Sequence, residues 1–286
     1  MDVRMEYLRP REIETAMAAC PTLFLPLGTV EWHGRQNVVG LDALKAHALC
    51  VRAAQQGGGL VAPALYGGVG GLDEPCTFVM EPENNLYSVL VRPWLEALCR
   101  EAVRQSFKAL IILTGHYGAG QQIIVRETAA RMTRILNRPI LGTPEYFLAL
   151  PEGYTGDHAA YFETSLMMCL YPDTVDLTQL GDPPHQGVHG RDPKQYANAD
   201  DGKRFAEAII NRLAALAQHM PAWDQQTIDR YAAAEQALVT RQLALSGERG
   251  NPWAAWRNLD KKEVAAYPDH LVNERFEEII ALADLL

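Results

Sequence analysis

Five side chains are of types that hold metals. Glu31, His33 and Asp42 share one stretch, LFLPLGTVEWHGRQNVVGLD (23–42). His116 lies in LTGHYGAG (113–120), and Glu163 in YFETS (161–165). The first three stand at i, i+2 and i+11. Mixed imidazole and carboxylate donors suit Zn²⁺ or Mn²⁺, and no thiolate cluster accompanies them as in a structural zinc finger. The chemistry such a set supports is metal-assisted hydrolysis. Each piece also has a plainer reading. A solvated acidic loop would carry Glu31 and Asp42, and a lone histidine after a strand is more often a hydrogen-bonded structural residue. Glu163 precedes Leu166, Met167 and Leu170 at i+3, i+4 and i+7, so it begins the core-facing stripe of its helix. A buried carboxylate needs a partner or a cation; a helix N-terminus equally favours one through its dipole.

The elements around these residues say how they could meet. The apolar run 22–27 reads as a buried strand that breaks at Gly28 and delivers Glu31, His33 and Asp42 into the loop beyond. ALIIL (109–113) is the clearest buried strand, and it ends at His116. Parallel strands place such loops on one sheet edge, where ligands of open α/β sheets bind. Further strands are expected at 60–65 and 139–143. Helices are expected at 9–18, 43–56, 85–105, 121–136, from 161 to Pro172, at 201–218, 225–243 and about 273–286. This alternation predicts an α/β fold with a mostly parallel sheet between helical layers over the first 220 or so residues. A Gly-rich loop, YGGVGGLDEPC (66–76), matches neither a P-loop nor GxGxxG and reads as a plain loop lining the site.

The 286 residues suffice for one substantial core with a small appendage. A net charge of −9 argues against nucleic acid, since no basic stripe replaces phosphate counterions. No apolar run approaches the roughly 20 residues of a membrane span, and the N-terminal stretch has no apolar leader. Five cysteines without a CxxC pair predict reduced core thiols in a cytoplasmic protein. His47, His185, His189, His219 and His270 are read as structural.

Four segments together resemble the creatininase family of metal-dependent amidohydrolases. LPLGTVEWHGRQNVVGLD is similar to its first metal loop, with an aspartate nine residues after the histidine. ILTGHYGAGQQ resembles its Gly-His loop, GDHAAYFETS its His-Ala-x-x-x-Glu-Thr-Ser segment, and GVHGRDPKQYANADDGKRF the stretch before its last core helix. They occur in order across residues 22–218. The resemblance implies a three-layer α/β/α sandwich and makes Glu31, His33, Asp42 and His116 metal ligands, Asp42 bridging two ions. Glu163 would be the remaining carboxylate. His158, five residues earlier, would be the catalytic proton donor. Two divalent ions per chain are implied, zinc first, with manganese or iron as alternatives. A homo-oligomer, hexameric as in relatives, is implied too. Three carboxylates leave one positive charge on two divalent ions, which a bridging hydroxide would neutralise while serving as nucleophile.

The chain also departs from creatininase itself. Creatininase has a carboxylate two residues after the Gly-His histidine, where this chain has Gly118, and relatives carry Gly-Asn where it has Ala119-Gly120. Tryptophans near the catalytic histidine of creatininase are replaced ahead of His158 by Gly153-Tyr154-Thr155-Gly156-Asp157. The expectation is therefore a relative with a different small amide or cyclic amide substrate, Tyr117, Tyr154 and Asp157 being candidates to touch it. Three other readings stand beside it: a metal-binding or scaffold protein without turnover, a hydrolase of a non-amide ring such as an inosose, and a flavodoxin-like nucleotide binder on the Gly-rich loop. Residues 1–222 are expected to form the metallohydrolase domain, and 223–286 a helical extension packed on it or on a neighbouring subunit.

Overall fold

Residues 22–28 (TLFLPLG) and 109–114 (ALIILT) are buried along their whole length, as strands covered on both faces must be. The computed structural model describes residues 2–78, 89–248 and 263–285. In chain order these contain α1 (Pro10–Ala19), β1 (Thr22–Gly28), α2 (Leu41–Gly57), β2 (Leu60–Val61), β3 (Leu65–Tyr66) and α3 (Val91–Arg104). There follow β4 (Ala109–Thr114), α4 (Ala119–Leu136), β5 (Ile140–Pro144), α5 (Tyr161–Leu170), the one-turn α6 (Pro193–Tyr196), α7 (Ala199–His219) and α8 (Gln225–Glu248). The helices Tyr267–Val272 and Phe276–Leu285 come last.

The sheet is parallel throughout, in the order β2-β1-β4-β5, with β3 beyond β2 on the same edge of β1. Strand alternation separates two apolar layers. Leu23, Leu25, Leu27, Leu110 and Ile112 face α1, α3 and part of α4; Phe24, Ala109, Ile111 and Leu113 face α2, α5 and α7. The architecture is a three-layer α/β/α sandwich.

The strand expected at 60–65 is two strands, and proline chemistry explains the gap. Phe24 O accepts from Ala62 N and Gly28 O from Gly67 N, so Pro26 faces the same side between them. Pro26 has no N–H to offer, and Pro63 lies opposite the break. The helix expected at 85–105 is seen from Val91 to Arg104, and 85–88 lie outside the described residues.

One correction bears on the site. Asp42 is in the first turn of α2, two residues after its Gly40 N-cap, and not in the loop. A carboxylate there gains from the helix dipole. The turn is pressed onto the strand ends, because a Cβ at Gly28 would collide with Ala43 N and one at Gly115 with Asp42 O. Beyond residue 222, α8 lies along α4, and Tyr231, Leu238, Tyr267, Phe276 and Ile279 belong to the same apolar cluster as Phe24 and Leu113.

Candidate metal centre

Glu31, His33, Asp42, His116 and Glu163 converge at the carboxyl ends of β1 and β4, each about 1–2 % exposed. Local bonds aim each one. His33 Nδ1 donates to Glu31 O (3.0 Å), which turns Nε2 toward Asp42 Oδ1 (3.2 Å) and Glu163 Oε2 (3.7 Å). His116 Nε2 donates to Gly70 O (2.9 Å), so Nδ1 faces Glu31 Oε2 (3.0 Å) and Asp42 Oδ2 (3.1 Å). The Gly-rich loop therefore orients a ring, and it places Leu72 N–H on Glu31 Oε1 (2.8 Å). Thr29 Oγ1 donates to Asp42 Oδ2 (2.7 Å), and Ala159 N–H to Glu163 Oε2 (2.7 Å).

Three groups of candidate ligands result, Glu31–Asp42–His116, His33–Asp42–Glu163 and Glu31–His33–His158, the ligand atoms within each lying within 4.8 Å of one another; the first two triads are fully buried. Asp42 belongs to both, presenting Oδ2 to His116 and Oδ1 to His33. His33 Nε2 is buried without a hydrogen bond although carboxylate oxygens surround it. An imidazole lone pair and carboxylate oxygens aimed at one point fit a divalent cation. The local charges agree. Burial opposes protonation of the rings, yet Asp42 and its fellow carboxylates push His33 up to about 9. They also hold His116 well above its ordinary value. Burial raises Asp42 and Glu31, but the neighbouring imidazoles outweigh it and keep both low. This pocket demands positive charge.

His158 flanks the second triad. Its ring centroid is 4.4 Å from that of His33, and its Nε2 donates to Trp32 O (2.8 Å). Burial, with His33 nearby, lowers its pKa, so the neutral ring prevails near pH 7. Asp157 caps α5, accepting from Phe162 N (2.7 Å) and Glu163 N (3.1 Å). Burial and the Glu163 charge push it up to about 7. Tyr117 and Tyr154 share a hydroxyl contact of 2.7 Å, and Tyr117 also donates to Glu145. Tyr154 is fully buried, its hydroxyl directed at Tyr117 and Glu145.

Sequence reasoning missed Lys45 and Glu145. Lys45 is fully buried and bonds Glu163 Oε1, with its Nζ 3.2 Å from Glu145 Oε1, 3.8 Å from Asp42 Oδ1 and 3.9 Å from the Tyr117 ring centre. The signal was a lysine one turn after Asp42 on the apolar stripe Leu41–Lys45–Leu49. Glu145 directly follows β5, so the rule that drew attention to the other two strand ends would have found it. Burial, opposed by Lys45, pushes its pKa up to about 7.

Parallel α/β layers with a buried carboxylate–imidazole cluster at the strand ends define an α/β/α protein with a candidate metal centre. A family profile described as "Creatininase: Creatinine amidohydrolase" matches residues 6–217. Creatinine amidohydrolase of Pseudomonas putida is 31% identical over 199 residues, 61% of this chain and 74% of that protein. A crystal structure of creatinine amidohydrolase superposes with a TM-score of 0.65 at 26% identity, covering 77% of this chain and 98% of the other. A manganese form of creatininase gives 0.61 at 28% identity, over 77% and 100%. A Zn–Zn form of a creatininase variant gives 0.65 at 26%, over 77% and 99%. The chain belongs to the creatininase family.

Proposed function

We propose that this protein is a metal-dependent hydrolase that cleaves a C–N bond in a small amide or cyclic amide. The observation that carries the reading is the pair of buried triads sharing Asp42. In this reading Glu31, Asp42 and His116 hold one divalent ion, and His33, Asp42 and Glu163 the other; zinc suits these donors best, with manganese or iron as alternatives. Bound there, the ions would polarise a carbonyl and supply a nucleophile near neutral pH.

The chain's own groups do the rest. His158 Nε2–H donates a hydrogen bond to Trp32 O, which leaves Nδ1 to exchange protons. Starting neutral, Nδ1 takes the proton released as the nucleophile attacks, then hands it to the departing nitrogen. Asp157 and Ala159 N–H fix Glu163 from the backbone side. Gly153-Tyr154-Thr155-Gly156 precede His158 without tryptophan, which favours a substrate other than creatinine. The creatinine amidohydrolases to which the chain is similar support the reaction class. A homo-oligomer, hexameric by resemblance, belongs to the same reading, as does a role for residues 223–286 as an extension of a 1–222 catalytic unit.

The test is elemental analysis joined to a metal-replete screen of cyclic ureas, hydantoin-like rings, formamides and inosose-type rings. About two divalent ions per chain and chelator-sensitive hydrolysis of a ring or open amide are expected. Absence of bound metal overturns the reading, and turnover of the inosose alone would replace the amide substrate.

A further inference from the structure

The two triads share Asp42 but differ in what stands behind them. On the Glu31–Asp42–His116 side the outward contacts are neutral donors: Leu72 N–H on Glu31 and Thr29 Oγ1 on Asp42 Oδ2. On the His33–Asp42–Glu163 side a fixed cation is built in. Lys45, fully buried, bonds the second oxygen of Glu163 and stands 3.8 Å from Asp42 Oδ1, the oxygen that faces His33. Its position is held by α2, one turn from Asp42, and by Glu145 and the face of the Tyr117 ring.

We infer that Lys45 sets unequal affinities in the centre: its ammonium weakens the ion held by His33, Asp42 and Glu163, leaving the ion held by Glu31, Asp42 and His116 the tighter of the two. This rests on the two-ion reading above. The physical reason is competition for the same carboxylates. An ammonium and a divalent ion both drawing on Glu163 and Asp42 repel each other across a few ångströms of protein interior, where screening is poor. Lys45 also holds Glu163 in place, which would favour binding. Glu163 is already fixed by Ala159 N–H and by its place in α5, so repulsion is the larger effect. Glu145 tempers that repulsion by sharing the ammonium.

The test reads zinc content, not turnover. The full-length protein is dialysed against zinc buffers of graded free concentration, and bound zinc per chain is measured by mass spectrometry. Wild type should fill in two steps whose midpoints differ by about tenfold or more. Lys45→Met should move the weaker step to lower free zinc by about tenfold or more, leaving the tighter step in place. Because Lys45→Met strands buried carboxylates, the double variant Lys45→Met/Glu145→Gln, which removes both charges together, should show the same shift. Glu145→Gln alone should move the weaker step the other way. Two ions filling in a single step in wild type overturn the inference while leaving the two-ion reading intact. So does a weaker step that is unmoved or lost in the double variant. Failure of wild type to bind zinc, manganese or iron overturns the two-ion reading itself.

Discussion

At the scale of single residues, orientation comes from backbone bonds that no side-chain motif contains. His116 presents Nδ1 to the carboxylates because Nε2 is committed to Gly70 O. Gly118 is part of that arrangement, since a Cβ there would collide with His116 Nε2 and lie 2.7 Å from Val69 O. Gly118→Ala is therefore expected to tilt the imidazole, lower stability by about 1–3 kcal/mol and reduce bound metal. A thermal melt and an elemental assay on the same sample check both effects. The same collision means that a carboxylate side chain at this position could not be added without moving the Gly-rich loop. For His158, the proton-exchange role predicts that His158→Gln keeps its full metal content and loses about 10²–10⁴ in kcat. Loss of metal together with activity would instead make it a ligand.

At the scale of elements, α5 and α7 carry Glu163 and its supports, and α7 is anchored by a polar cap. Asn198 Oδ1 accepts from Asp201 N (2.8 Å), while Asp201 accepts from Tyr161 Oη (2.6 Å), Asn198 Nδ2 (2.9 Å) and Arg204 (2.9 Å). The Tyr161 bond ties the start of α5 to the start of α7. These bonds, the Tyr161 hydroxyl foremost, lower the Asp201 pKa from 3.8 to about 2. A depressed folded-state pKa gives stability that is full above 3.8 and lost as pH falls toward 2. Asp201→Asn is expected to cost about 1 kcal/mol at pH 7, the deficit shrinking as pH falls through that window. Urea unfolding of both proteins at pH 7 and at the acid end measures it. Most of these elements were legible in the residues, because buried strands and amphipathic helices carry their period locally. The split of 60–65 into two strands was not, since it depends on which side of β1 Pro26 faces.

At the scale of the whole molecule, residues beyond the 6–217 family match are joined to the sandwich by buried polar groups as well as apolar ones. Arg126 of α4 is about 1% exposed, its guanidinium carbon 4.2 Å from the Phe147 ring centre and 5.1 Å from that of Tyr267. Its Nη1 is 3.9 Å from Glu235 Oε2 of α8, and Glu235 Oε1 accepts from Tyr267 Oη (2.8 Å). Tyr231 Oη donates to Ile140 O at the start of β5 (2.9 Å). Glu235→Gln leaves a buried guanidinium without its counter-charge and is expected to cost about 3–5 kcal/mol, most of it recovered in Arg126→Met/Glu235→Gln. A double-mutant cycle by chemical denaturation checks this, and additive losses would mean that the two charges do not interact. Among the described residues, no helix is long and apolar enough to cross a membrane.

What the residues determined by themselves was most of the strands and helices, the strand-end placement of Glu31, His33 and His116, and the family. Each is local: a two- or 3.6-residue period, or donor types at fixed spacing. Tertiary structure decided how the donors pair, with one oxygen of Asp42 facing each histidine and Lys45 behind only one triad. Those pairings join α2 to β4 and α5 across 74 and 118 residues, and distances between such segments are set by packing of the layers, which no local pattern encodes.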